Sequence, residues 1–285
     1  MRVVIAVAAL AVAAGLFQAL ASICGRRALQ AGVSAATLVL TWGAGLALAS
    51  APWWFLPGAT LLPDPWWLAP AVGLLLLVGN LCLGWALVQG SAALVVPVLS
   101  SKVVLVAVGM ALAGRPSTPL AWLGACLTCA GIAILGFGQP GRQALRTILI
   151  ALAATLCYAG FDALVALHGA RAGIAGLLPA SACWALIGAL PLLAVARLPA
   201  RGHGTGLLLG SGALNGIQCM GLVCAIVLAG DAVLPNILYG CRGLWSVLLV
   251  ALLAARPAPT DGGDWRIRCA GAALIAGAIG CTLLG

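Results

Sequence analysis

Ten stretches of the chain hold almost nothing but apolar side chains: 3–23, 33–51, 66–88, 92–113, 117–137, 147–168, 173–196, 205–228, 231–254 and 265–284. A helix rises about 1.5 Å per residue, so roughly twenty residues cross a hydrocarbon core of about 30 Å. Nothing at that depth replaces water as a hydrogen-bond partner, so each run must satisfy its own backbone, as a helix does. The separators are short and carry helix breakers, as in "PGATLLPDP" after the second run, "GQPGRQ" after the fifth and "RLPARGHG" after the seventh. The expectation is an all-α membrane protein with ten transmembrane helices, its partner surface being the lipid bilayer.

Composition removes the alternatives. Only 7% of the residues are charged, against about 25% in an ordinary soluble domain. The net charge of +9 sits mostly in gaps between apolar runs, where it reports topology rather than a nucleic-acid surface. The gaps after runs one, five, seven and nine, with the first residues of run ten, hold Arg26, Arg27, Arg142, Arg146, Arg197, Arg201, Arg256, Arg266 and Arg268. Arg2, Arg115 and Arg171 stand on the other side. That asymmetry puts the first set in the cytoplasm and both termini outside, and it fits a multi-pass protein of a bacterial inner (plasma) membrane. The Trp-rich segment "APWWFLPGATLLPDPWW" then belongs to the outer face. Residues 1–25 imitate a signal peptide, but the apolar run is long and Arg26-Arg27 follow it, which reads as a retained first span. Most of the 11 cysteines lie within apolar runs, where a free thiol packs as a small hydrophobe. Cys126-x-x-Cys129 shares that setting.

Shifting the chain by about 140 residues lays one half on the other. "QGSAAL" (89–94) meets "AGDAVL" (229–234), and Lys102 meets Arg242. "GRP" (114–116) meets "ARP" (255–257) with one residue of slack, and "QAG" (30–32) meets "RAG" (171–173). Gly124 and Gly131 answer Gly271 and Ala278. Five spans is an odd number, so the halves 1–138 and 139–285 would point in opposite directions, an inverted repeat.

These features resemble the drug/metabolite transporter superfamily, in its ten-helix, EamA-type branch. Pro97 stands near the start of the fourth helix, and a short polar turn leads to the G-x6-G spacing in "WLGACLTCAGIAILG". The family usually carries Gly-Glu in the turn after helices four and nine; Arg115 and Arg256 stand there in this chain. The resemblance covers the whole chain and implies two inverted five-helix repeats and secondary transport of a small organic metabolite.

Lys102 and Arg242 fall near the middle of the fourth and ninth runs. A cation at that depth costs about 2.5–3.5 kcal/mol on insertion scales, so it faces a bundle interior or a wet cavity. Asp162 is the one carboxylate well inside a run, and Asp231 lies at a helix entrance. Two cations against one acid leave a surplus positive charge, which an anionic ligand would neutralise. The sugar-phosphate translocators of the same superfamily hold phosphate with basic side chains on helices four and nine; by resemblance, Lys102 and Arg242 take those places. In helix nine, Asn236, Tyr239, Arg242 and Ser246 recur at three or four residues, which puts them on one face; helix six does the same with Thr155, Tyr158 and Asp162, and helix eight with Ser211, Asn215 and Gln218. The first half has a thinner stripe of Gln18, Ser22, Asn80 and Ser101.

Expected substrate contacts are therefore Lys102, Arg242, Tyr239, Asn236, Asn215, Gln218, Tyr158, Asn80 and Ser101. Asp162 is either a fixed counter-ion or a proton carrier. Pro97 and Pro235 are expected to break or bend helices four and nine at a gate. Gly206, Gly210, Gly212 and Gly216 would let helix eight approach a neighbour closely. The small-residue faces of helices five and ten could join two copies, so the chain is a monomer or a homodimer. No hydrolytic triad, metal cluster, phosphate-cradling loop or nucleotide motif is legible, so neither an enzyme nor a cofactor is expected. The function expected is secondary transport of an anionic or zwitterionic metabolite (carboxylate or phosphate), coupled to a proton or an antiported anion. A proton-coupled exporter of cationic or neutral compounds or amino acids, centred on Asp162, is the alternative.

Overall fold

The computed structural model describes residues 2–60, 63–89, 95, 98–99, 101–115, 117–136, 142–197, 203–253, 270–271, 273–275, 277–278 and 280–281. The regular elements among them are all helical: α1 (Arg2–Gln30), α2 (Ala35–Ser50), α3 (Leu68–Gln89), α4 (Lys102–Leu112), α5 (Pro119–Gly136), α6 (Arg142–Ala172), α7 (Ile174–Ala189), α8 (His203–Ala229), α9 (Val233–Tyr239) and α10 (Arg242–Leu253). Short 3-10 turns, Ala51–Phe55 and Leu190–Ala194, follow α2 and α7. Val95, Val98 and Leu99 are helical ahead of α4, and the described residues between 270 and 281 are helical too.

Among the described residues, six helices are long and apolar enough to cross a membrane: Arg2–Gln30, Ala35–Phe55, Leu68–Gln89, Leu145–Ala172, Ile174–Ala194 and Gly204–Ala229. The chain is an all-α, multi-pass membrane protein. On α6, Leu145, Leu149, Leu152 and Leu156 recur at three- and four-residue steps and are all exposed. That stripe suits lipid, not water. Two helices run past the expected boundaries. α1 continues to Gln30 and α6 spans 142–172, so Arg26, Arg27, Arg142, Arg146 and Arg171 stand on helix ends rather than in gaps. Long basic side chains tolerate this because their stems lie along apolar surface while the charge reaches the interface.

The fourth and ninth runs are not continuous helices. Each tightens to an i→i−3 turn immediately before its cation. Ser101 N–H bonds to Val98 C=O at 3.1 Å and Cys241 N–H to Leu238 C=O at 3.2 Å. Regular i→i−4 bonding then resumes in both, from Leu105 N–H to Ser101 C=O and from Trp245 N–H to Cys241 C=O. Pro235 is not the break. It lies in the first turn of α9, where backbone donors have no intrahelical partner to lose. The interruption comes five residues later, at Gly240. A Cβ there would stand 2.8 Å from Thr128 Cγ2 and 2.8 Å from Ile237 O. Pro97 lies outside the described residues.

α1 packs along α8 and against α9 and α10, while α6 packs along α3 and against α4. α2 lies between α7 and α8, and α3 also meets α7. The connections meet at their ends. Arg197 N–H donates to Ser34 Oγ at 3.1 Å, and Thr37 Oγ1 donates to Arg197 C=O at 2.8 Å. Arg171 pairs with Asp64 at 2.7 Å, both exposed, and His168 meets the Trp67 ring edge-on at 5.5 Å. Gaps one and seven therefore touch, as do gaps two and six.

Close approach of α2 and α8 rests on glycine. A Cβ on Gly212 would lie 2.6 Å from Thr41 O, and Gly216 faces the carbonyl of Gly45 just as tightly. Gly206 and Gly210 face open space instead, so only half of the expected small-residue set makes the contact. Gly131 of α5 abuts the chain's own last run: a Cβ there would stand 2.7 Å from Gly271 O. The α5 face that the sequence offered for a dimer is thus covered within one chain. Gly216→Val should overpack the α2–α8 seam at a cost of about 1–3 kcal/mol. A lowered thermal midpoint in detergent, with Gly210→Val close to wild type, is the expected result.

Candidate functional site

The two tightened turns deliver Lys102 and Arg242 as the first residues of α4 and α10. Both are inside the bundle, 5% and 8% exposed. Lys102 Nζ lies 2.7 Å from Asp162 Oδ2, and Asp162 is fully buried on α6. Asn236 Nδ2 donates to the same oxygen at 2.7 Å and to Ala232 C=O at 2.9 Å. One carboxylate oxygen thus receives two donors while Asp162 Oδ1 has none.

Tyr239 ties the cations together. Its ring centroid is 4.7 Å from the Arg242 guanidinium carbon and 5.1 Å from Lys102 Nζ. Both distances are within cation–π range. The Tyr239 hydroxyl donates to Gln218 Oε1 at 3.0 Å, and Gln218 Nε2 reaches Asn215 Oδ1 at 3.4 Å. Opposite, the Tyr158 hydroxyl donates to Asn80 Oδ1 at 2.7 Å. These groups surround a cavity of about 50 Å³ with apolar walls from Leu46, Leu76, Leu83, Leu99, Phe161 and Leu222. That is room for a few water molecules.

The charges do not cancel. The ion pairs among the described residues are Lys102–Asp162 and Arg171–Asp64, so no described carboxylate pairs with Arg242. Its Nε has no hydrogen-bond partner. With Lys102 balanced by Asp162, one positive charge remains at the cavity. A buried cation without a counter-ion is costly. A negative group placed beside Arg242 would offset that charge.

Of the expected contacts, Lys102, Arg242, Asp162, Tyr239, Asn215, Gln218, Tyr158 and Asn80 line the cavity. Asn236 sits behind Asp162 and holds it. Ser101 is turned away: its Oγ donates to Val98 C=O at 2.7 Å, the carbonyl that the tightened turn already uses. Thr155 Oγ1 reaches the same carbonyl at 3.3 Å and Ala151 C=O at 2.6 Å. Ser211 Oγ joins three helices, accepting from Trp42 Nε1 at 2.9 Å and donating to Ala21 C=O at 2.8 Å. Ser246 Oγ bonds the Arg242 carbonyl at 2.8 Å. These four hydroxyls therefore serve the backbone or the helix contacts, while Asn80, Asn215, Gln218, the two phenols and the charges line the cavity. Asp231 Oδ2 accepts from Leu234 N–H at 3.2 Å, at the start of α9.

Cys219 and the aliphatic walls were not among the expected contacts. They were findable: Leu76 and Leu83 stand a turn either side of Asn80, and Leu222 a turn beyond Gln218, so extending each polar stripe by one turn reaches them. Among the described residues no three His, Cys, Asp or Glu side chains gather as metal ligands.

No family model and no curated protein matches the chain. It is similar to a solved crystal structure, described as no more than a protein, with a TM-score of 0.71 at 17% identity over 95% of this chain and 96% of that one. At that identity the likeness is one of fold. Removing one member of the buried pair, as in Asp162→Ala or Lys102→Ala, should cost about 3–5 kcal/mol. The double variant Lys102→Met/Asp162→Leu, which leaves no unpaired charge, should melt above either single variant in thermal unfolding.

Proposed function

We propose that the chain is a secondary active transporter of a small anionic or zwitterionic metabolite, of the drug/metabolite transporter type with an EamA-like arrangement. It is not an enzyme on this reading. Ten spans form two inverted five-helix repeats, 1–138 and 139–285, set in a bacterial plasma membrane with both termini outside. Alternating access rocks one repeat against the other around the central cavity.

Support for the repeat comes from positions 140 residues apart. Val7, Ala11, Ala14, Gly15, Ala19, Ala21 and Gly25 are buried on α1, and Thr147, Ala151, Ala154, Thr155, Ala159, Phe161 and Val165 are buried on α6. Every pair differs by the same interval. The tightened turns at Ser101 and Cys241 keep that interval, and so do the cations after them. The packing of α1 on α8 and α9–α10 mirrors that of α6 on α3 and α4.

The observation that carries the function is the unbalanced Arg242 at a cavity inside an apolar bundle. Transport is favoured over a fixed structural role because the positive charge faces open volume rather than a resident acid. Arg242→Ala should cut anion uptake or exchange in proteoliposomes by roughly tenfold or more, since a charge-assisted hydrogen bond is worth about 1.5–3 kcal/mol. The assay offers phosphates, carboxylates and amino acids, and size-exclusion profiles show that the variant folds. Undiminished anion flux in Arg242→Ala would sink the reading.

The unpartnered Asp162 Oδ1 favours a second reading, a proton-coupled exporter of cationic or neutral compounds. There, Asp162→Asn uncouples flux from the pH gradient while Arg242→Ala stays active. The first reading predicts the reverse.

A further inference from the structure

The two cations are related by the 140-residue interval, and so are the helices that face them. Lys102 of α4 meets Asp162 of α6. The position that corresponds to Asp162 is Ser22 on α1, and the one that corresponds to Tyr158 is Gln18. α1 lies against the second cation as α6 lies against the first. A Cβ on Gly15 would be 3.3 Å from the Arg242 backbone nitrogen and 3.2 Å from Tyr239 O. Its counterpart Thr155 reaches the carbonyl of Val98 ahead of Lys102.

One cation therefore has a built-in carboxylate, and at the corresponding position of the repeat the other has a hydroxyl. Gln18 Nε2 donates to Ser22 Oγ at 3.3 Å, and Gln18 Oε1, which is buried, has no partner. Gln18 and Arg242 both line the cavity, and Arg242 Nε is buried and unpartnered.

We infer that a substrate carboxylate binds between Arg242 and the Gln18–Ser22 pair of α1, taking the place that Asp162 occupies beside Lys102. The inference rests on the anion-transporter reading and on the repeat. It makes two commitments beyond them. Lys102 is not a direct ligand of the anion, because Asp162 already holds it. The substrate group carries a single negative charge, since one charge neutralises the cavity and a dianionic phosphate would overshoot it. Arg suits this task, its planar fork matching a carboxylate in two parallel hydrogen bonds.

The test installs the missing acid. Ser22→Asp should form an internal pair with Arg242 and raise the melting temperature of the purified protein by about 2–4 °C. In an Arg242→Gln background the same substitution should lower it. Acetate, as the smallest monocarboxylate probe, should stabilise the wild-type protein where its neutral isostere acetamide does not. Its apparent affinity should fall at least tenfold in Ser22→Asp. If Ser22→Asp does not accumulate, Gln18→Glu, isosteric and on the cavity wall, carries the same comparison. Equal shifts in the two Arg242 backgrounds, no acetate effect on wild type, or acetate acting as well on Ser22→Asp as on wild type would each overturn the subsite. The broader reading fails separately. Charge coupling between positions 22 and 242 with no anion flux in any variant leaves the subsite and removes the transporter. Arg242-dependent flux without that coupling does the opposite.

Discussion

A positive charge placed in a low-dielectric interior must find a negative partner or stay wet, and the described residues of this bundle bury two such charges with a single acid between them. Each cation loses most of its hydration on folding. Lys102 recovers part of that through Asp162, which Asn236 fixes from behind. Arg242 recovers less, from the face of Tyr239. The rest of the centre follows from this imbalance. Amide and phenol side chains line the cavity because polar surface there lowers the cost of the remaining charge, and an all-leucine lining would raise it.

The ladder of helices needed little more than hydropathy to read, because the bilayer permits few backbone arrangements. The buried cations were equally legible, since Lys and Arg are rare in apolar runs and conspicuous when present. What could not be read was where helix nine yields. Proline was the obvious local signal, yet Pro235 rests harmlessly in a first turn, and the tightening falls at Gly240, where α5 presses Thr128 against the chain. That is a tertiary contact, invisible to a local pattern. The polar stripes failed in the same way. Spacing alone put Ser101, Ser211 and Ser246 beside Asn215 and Gln218, but a hydroxyl can bond a backbone carbonyl one turn back, and these hydroxyls take carbonyls instead of facing the cavity.

The tightened turns also explain how an interrupted span survives at membrane depth. A break normally strands carbonyls. Here the i→i−3 bond keeps Val98 C=O occupied, and Ser101 Oγ and Thr155 Oγ1 add to it. Helix four thus turns tightly ahead of Lys102 with the Val98 acceptor satisfied. The hydroxyl from α6 means that this turn is held by the opposite half of the chain, so the position of Lys102 depends on packing across the two halves.

That dependence gives the asymmetry of the centre a mechanical meaning. The Lys102–Asp162 pair joins α4 of one half to α6 of the other, whatever else the cavity holds. The corresponding link from Arg242 on α10 to α1 has no carboxylate of its own, only Ser22 and Gln18. On the transporter reading, two built-in links would fasten the halves on both sides, and the proposed rocking would require breaking a buried ion pair, a step costing several kcal/mol. If neither were built in, two unbalanced cations would repel each other across a small cavity. One permanent link and one that a bound anion completes lies between these extremes. On the proposed arrangement, the anion satisfies the last free charge and bridges the halves in the same act, so occupancy and conformation are coupled by a single ion pair.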